Sequence, residues 1–233
     1  MSNRRNLVGC AAAAAIVVIL TFATWASADI IDEWLRVGPP PPPELKAVTL
    51  TGATTAFIIG DMNQVSCLQN PRCAATVPVI KQLADKARAA GAMFWYSVPG
   101  GANEPSDMVD KSFNPRDPSE AEKINGPDKF RGSKLEEKLK ARNIERAIIC
   151  GHSFQGFGVG TATGLAIRGF DVIVPVDCLA SNNPYPAYME QYAVWHLYRG
   201  GNGVWPRVTI TRSAQVRFRE PSTPPVQTTG ARP

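Results

Sequence analysis

The sequence predicts an α/β domain of three layers, with a mainly parallel sheet between two layers of helix. Three observations point there. Continuous apolar runs at residues 55–59, 93–98, 147–150 and 171–176 read as strands buried on both faces. Stretches with apolar residues at helical spacing separate them. One run leads into the glycine-rich turn Gly151-His152-Ser153-Phe154-Gln155-Gly156-Phe157-Gly158, whose backbone amides can converge on a ligand at a helix N-terminus. Such alternation gives parallel strands joined by crossover helices.

Residues 1–28 read as an export leader. Arg4 and Arg5 form a positive start, residues 11–22 are largely apolar, and Ala26-Ser27-Ala28 is a small-residue cleavage signal before Asp29. An uncleaved anchor is the alternative, but the apolar run falls short of the ~20 residues a spanning helix needs. Leu7-Val8-Gly9-Cys10 has the form of a lipoprotein box, yet it precedes the apolar stretch instead of ending it. Cleavage between Ala28 and Asp29 would leave a periplasmic or secreted chain. Residues 29–46 then form an arm in which Pro39, Pro40, Pro41, Pro42 and Pro43 make a stiff polyproline spacer.

Residues 47–213 carry the domain. Its first buried strand, 55–59, ends at Gly60-Asp61. Thr76, with Pro78 in the first turn, is placed to open a helix. That helix buries Val77, Ile80, Leu83, Ala84 and Ala87 and stops at Gly91. The strand at 93–98 gives way to a long polar loop, 99–119, and 122–124 reads as a short third strand. Ser133-x-x-Glu136 has the form of a capping box for a helix with Leu135 and Leu139 inward. The strand at 147–150, the glycine turn and a helix over 161–168 follow, then the strand at 171–176, a helix over 185–198 and a last strand at 208–210. Residues 214–233, rich in Pro and Thr beyond Glu220, read as a loose tail.

Charge and cysteines narrow the function. The chain has 25 Lys+Arg against 20 Asp+Glu, a formal net charge of +5, and loses two of those charges with the leader. No basic block or aromatic-basic interleaving exists, so nucleic acid is not expected as a partner. Cys10 leaves with the leader. Cys67 and Cys73 flank a turn-rich loop and either close a small ring or stay free, while Cys150 and Cys178 at strand ends read as small buried side chains. His152 and His196 are the only histidines and no C-x-x-C pair exists, so no metal or other cofactor is expected.

Ligands of open parallel sheets bind beyond the carboxyl ends of the strands. Asp61, Lys123, the Gly151 turn and Asp177 all follow strand ends. An Asp directly after Phe57-Ile58-Ile59-Gly60 is poorly solvated, which raises its pKa and suits it to proton transfer; a turn cap is the plain alternative. Lys123 would supply a positive charge opposite it. Asp177 reads as a turn cap, and His196, inside an aromatic helix pattern, as packing.

The segment Ala56-Phe57-Ile58-Ile59-Gly60-Asp61-Met62-Asn63, Lys123 with Phe130 seven residues on, residues 144–151, Thr161-Ala162 and residues 168–177 together resemble the isochorismatase-like hydrolases. That group includes nicotinamidases and N-carbamoylsarcosine amidases. The resemblance spans roughly 47–213 and implies a Rossmann-like sheet. It also implies an Asp, a Lys and a Cys as the working groups of the family's amidases. Asp61 falls on the Asp and Lys123 on the Lys, with Lys129 nearby. The Cys position, six residues after Gly151 and four before Thr161, is Phe157, so the resemblance excludes thiolate chemistry there.

Isochorismatases proper also lack that Cys. They hydrolyse a vinyl ether with the Asp as proton donor, and they carry a small residue where this chain has Phe157. The resemblance further implies a cis peptide at His152–Ser153 and a backbone anion site from the amides of Ser153 and Phe157. The nicotinamidase metal pattern is not visible at 95–105.

The expected function is an exported hydrolase of a small molecule that works through Asp61. A catalytically inactive binding or scaffold protein of the same fold is the alternative, and self-association stays open. A third reading takes Gly151-His152-Ser153-Phe154-Gln155-Gly156 as a near G-x-S-x-G elbow, with Ser153, Asp177 and His196 in triad order. Against it, Gln155 stands where the second glycine belongs.

Overall fold

The computed structural model describes residues 29–100, 108–181, 184–199 and 205–220. The leader assigned to 1–28, the centre of the polar loop and the tail beyond 220 lie outside the described residues. The chain divides into two compact units between Pro40 and Pro41. In the first, Asp29 accepts the Ile31 amide and so caps a short helix, α1 (Ile30–Glu33). Among the described residues no helix is long and apolar enough to cross a membrane.

The second unit runs β1 (Val48–Leu50), β2 (Thr55–Gly60), α2 (Gln64–Cys67), α3 (Pro71–Ala89), β3 (Met93–Val98), β4 (Ala121–Lys123), α4 (Leu135–Ala141) and β5 (Arg146–His152). A π-turn at Phe154–Gly158 leads into α5 (Val159–Ile167), β6 (Asp171–Pro175), β7 (Leu179–Ala180), α6 (Pro186–Arg199), β8 (Val208–Thr211) and β9 (Val216–Phe218). The main sheet has the order β4-β3-β2-β5-β6-β8, with β7 extending the pairing of β5. Every pairing between its strands is parallel. β1 and β9 form a separate parallel pair.

Burial explains the centre of the sheet. β2 is buried along its whole length, and β5 everywhere beyond Arg146. Fully burying one Ile or Phe side chain favours folding by about 1.5–3 kcal/mol, and Phe57, Ile58, Ile59, Ile148 and Ile149 are all in the core. Right-handed crossovers put α3 on one face and α4, α5 and α6 on the other. The Arg168–Glu136 ion pair joins α5 to α4 on that second face. The expected three-layer α/β/α fold is the one observed.

Three local expectations are corrected. α3 begins at Pro71, not Thr76, because Asn70 accepts the Arg72 and Cys73 amides and Pro71 supplies a first-turn φ with no N–H to satisfy. Thr76 is buried inside the helix and its hydroxyl donates to the Cys73 carbonyl. Ser133 forms no capping box: its hydroxyl donates to the Lys129 carbonyl and accepts the Leu135 amide instead of the Glu136 amide, and the Glu136 carboxylate is taken by Lys140 and Arg168. Cys150 and Cys178 are not free small side chains; they are disulfide-bonded, as are Cys67 and Cys73. The β5–β7 register pairs Gly151 with Leu179, and that sets the two preceding cysteines side by side.

Candidate functional site

The chain adds β3 and β4 on one side of β2, then returns to add β5, β6 and β8 on the other. The crevice of such a sheet lies where its order reverses, between the carboxyl ends of β2 and β5. Gly60 and Gly151 are in register there. A Cβ on Gly151 would collide with the Gly60 carbonyl, and Gly151 has φ +135°, so this position needs glycine. A Cβ on Gly60 would meet the ring of Phe157. The Phe157 side chain is buried in the crevice, against the backbone that carries Asp61.

Asp61 stands at the mouth with its side chain 17% exposed and its backbone at φ 52°. The Ser97 hydroxyl donates to Oδ1 at 2.8 Å, and the Lys129 ammonium donates to Oδ2 at 2.9 Å. Burial raises the Asp61 pKa above its ordinary value and outweighs the opposing pull of Lys129 and Ser97. The carboxyl therefore holds its proton to a higher pH than a solvated Asp. A positive charge waits beside it for the anion.

The lysine at Asp61 is Lys129 and not Lys123. Lys123 ends β4, an exposed position on the edge strand, two strands from β2 and about 10 Å away by strand spacing. Lys129 is 1% exposed and arrives from a loop instead of a strand end. Glycines hold that loop down: a Cβ at Gly160 would meet Pro127, and one at Gly164 would meet Asp128 and Phe130. Thr161 of α5 donates to the Pro127 carbonyl and accepts the Lys129 amide. The ammonium also donates to the Ile124 carbonyl and sits 6.0 Å from the Phe157 ring centre.

The His152–Ser153 peptide is cis, as the resemblance implies. Beyond it the chain makes a π-turn in which the Ser153 carbonyl accepts both the Gly156 and Gly158 amides. Single π-turns inside helical segments often mark functional positions. This one puts Ser153 at its start and Phe157 inside it.

Nothing assembles a serine triad. Asp177 is engaged by the Ser213 amide and hydroxyl, and His196 lies against Tyr192. All four cysteines among the described residues are disulfide-bonded.

Sequence reasoning missed a second polar group at this edge. His152 is buried with its Nε2 3.5 Å from the Asn70 amide nitrogen, and Asn70 donates to the Ser181 carbonyl. Burial lowers the His152 pKa below its ordinary value. Ser97 is the one small polar residue in the apolar run 93–98, a signal that could have found it, whereas the loop that brings Lys129 onto Gly160 and Gly164 has none.

The isochorismatase domain family matches residues 55–204. Among solved structures, the chain is similar to a cysteine hydrolase from Pseudomonas syringae pv. phaseolicola 1448A, at 20% identity and TM-score 0.62 over 74% of this chain and 95% of that one. It is similar to an isochorismatase family protein from Desulfovibrio vulgaris subsp. vulgaris str. Hildenborough, at 22% identity and TM-score 0.59 over 69% and 95%. An N-carbamoylsarcosine amidase from Thermoplasma acidophilum matches at 18% identity and TM-score 0.54 over 69% and 96%. At these identities the likeness is one of fold. No protein with a curated description matches the sequence.

Proposed function

This chain belongs to the isochorismatase family, and we propose that it is an exported hydrolase of a small molecule in which Asp61 transfers the proton and no cysteine takes part. The observation that carries this reading is the Asp61 carboxyl itself: raised by burial, open at the crevice, and held on both oxygens by Ser97 and Lys129. A group so poised gives up a proton and then rests as an anion beside an ammonium. Phe157 stands at the family's cysteine position, and its buried ring leaves no thiol there.

The reaction that fits is hydrolysis of a vinyl ether. The Asp61 acid form protonates the terminal carbon of the double bond, leaving an oxocarbenium ion and the carboxylate. Water adds to the oxocarbenium carbon, the hemiketal breaks into a ketone and an alcohol, and the proton released from water restores the acid. Lys129 and Ser97 hold the carboxylate between those events. The amides of Ser153 and Phe157 are the backbone groups proposed to take a negative group of the substrate.

Export is supported by the leader pattern of residues 1–28 and by two disulfides, which persist in oxidising compartments. The intact mass of the protein from its host is expected to begin at Asp29. A chain retaining Met1 in a membrane fraction contradicts the proposal.

One observation favours a second reading, a binding protein that has lost its chemistry: Phe157 fills the crevice over Gly60. A screen of vinyl ethers, amides and esters with wild type, Asp61→Asn and Phe157→Cys separates the two. The first reading expects turnover in the wild type that falls by about 10²–10⁴-fold in Asp61→Asn. Activity that survives Asp61→Asn rejects it. Activity seen only in Phe157→Cys establishes the second.

A further inference from the structure

The π-turn aims Phe157 at one place. The Ser153 carbonyl takes the amides on either side of it, Gly156 and Gly158, and the side chain between them is 2% exposed. On one side the ring lies against Gly60, so closely that a Cβ there would come within 2.4 Å of Cε2 and Cζ. On another it faces the Lys129 ammonium, 6.0 Å from the ring centre. Gly60 is bonded to Asp61, and Lys129 is the ion partner of Asp61. One apolar side chain therefore touches the backbone next to the acid and faces the cation that pairs with it.

The groups bonded to the pair are polar. Ser97 donates to one Asp61 oxygen, Lys129 to the other, and the Ile124 carbonyl accepts from the ammonium. The Phe157 ring offers no hydrogen-bonding group. Lys129 is 1% exposed and Asp61 17%, so the pair is open on the Asp61 side and closed on the Lys129 side. A small residue at 157 would leave a void bordered by an ammonium and a carboxyl. A cavity takes up water when it is polar and exceeds roughly 10–15 Å³, and the loss of a phenyl ring passes that limit.

We propose that Phe157 is a positioning residue for the chemistry of Asp61: its ring keeps water from the inner side of the Asp61–Lys129 pair, which then meets solvent or substrate only at the mouth of the crevice. The inference rests on Asp61 as the proton donor. It gives the residue at the family's cysteine position a task of its own, where the second reading sees only a plug. The burial that raises the Asp61 pKa is then in part the work of this ring. Water admitted beside Lys129 would solvate the carboxylate and weaken that burial. Because burial outweighs the opposing interactions of Lys129 and Ser97, its partial loss moves the carboxyl toward the anion. The turn itself has no titratable side chain, and His152 just before it is turned to Asn70, so no charge from this stretch competes with the effect.

Two NMR readings of the wild type, Phe157→Leu, Phe157→Val and Phe157→Ala, each checked for folding by circular dichroism, test this. Exchange of the Lys129 ammonium protons with water, assigned by loss of the signal in Lys129→Met, reads the seal. Carbon-13 titration of the Asp61 carboxyl reads its consequence. Wild type and Phe157→Leu, both with a large apolar side chain, are expected to exchange slowly and alike. In Phe157→Ala the exchange should quicken by about tenfold or more. Its Asp61 midpoint should fall by about one pH unit, a tenfold loss of proton affinity. Phe157→Val, which removes less volume, should shift both readings in the same direction, and it decides the matter if Phe157→Ala does not fold. A loss of packing alone would lower stability and leave both readings where they are. Unchanged readings in the folded variants overturn the proposal and leave Asp61 as the acid. A wild-type midpoint at the ordinary carboxylate value, with exchange that still quickens, instead refutes Asp61 as proton donor, and the proposed role of Phe157 falls with it.

Discussion

Gly60→Ala probes the crevice with one methyl group. Gly60 has no positive φ, so its backbone accepts alanine. The added Cβ would fall within 2.5 Å of Cδ2, Cε2 and Cζ of the Phe157 ring, where carbon atoms settle at about 3.5–4.0 Å. The ring must move by roughly 1 Å, and it is buried. Overpacking of this kind costs about 1–3 kcal/mol. For a domain of this size that is a fall in Tm of about 2–12 °C. Phe157→Ala costs about 3–5 kcal/mol by itself through the cavity it leaves. In that background the new methyl has room, so Gly60→Ala should cost less than about 0.5 kcal/mol, a coupling of about 1–3 kcal/mol. Urea unfolding of the four proteins of this cycle measures it. Additivity within about 0.5 kcal/mol would refute the claim that Phe157 occupies the space over Gly60.

Lys129→Met removes the ammonium from Asp61 and should lower stability by about 1.5–3 kcal/mol, the range for a charged hydrogen bond, while raising the Asp61 pKa further. Lys123→Met, two strands away, should leave the Asp61 titration unmoved; a carboxyl titration followed by NMR compares the two. Replacing both Cys150 and Cys178 by Ala opens a loop with a sequence separation of 28 and should cost about 3.5 kcal/mol. The same change at Cys67 and Cys73, separated by 6, should cost about 2 kcal/mol, and calorimetry checks the ranking. His152 has a folded pKa below its ordinary 6.5, so the unfolded chain takes up a proton that the folded one refuses. That contribution to stability is whole above about pH 6.5 and fades as pH falls. The wild type should therefore lose Tm relative to His152→Gln between pH 7 and pH 5, and a pH-independent difference would contradict it.

The fold was legible because parallel strands buried on both faces leave unbroken apolar runs, and residues 55–59 and 147–150 are such runs. Asp61 was legible for the same reason, since a charge closing a buried run stands out. Lys129 was harder. Strand-end reasoning selects Lys123, whereas the working position is set by a loop lying on Gly160 and Gly164, a tertiary contact with no local period. The Cys150–Cys178 bridge depends on the β5–β7 register, and two strand residues at β7 carry no pattern of their own. The start of α3 was misplaced because Thr76 and Pro78 imitate a cap and first turn, while Asn70 and Pro71 provide the real ones six and seven residues earlier.

The proposed chemistry requires Asp61 to hold its proton above the ordinary carboxylate range. Carbon-13 NMR of the labelled aspartate carboxyls, titrated with pH and assigned by loss of one signal in Asp61→Asn, reads that property without any substrate. The midpoint of Asp61 should lie above the value of about 3.9 for a solvated Asp, and it should move higher still in Lys129→Met. A midpoint at or below that value would mean that the Lys129 ion pair dominates over burial, and Asp61 would then be a permanent anion with no proton to give.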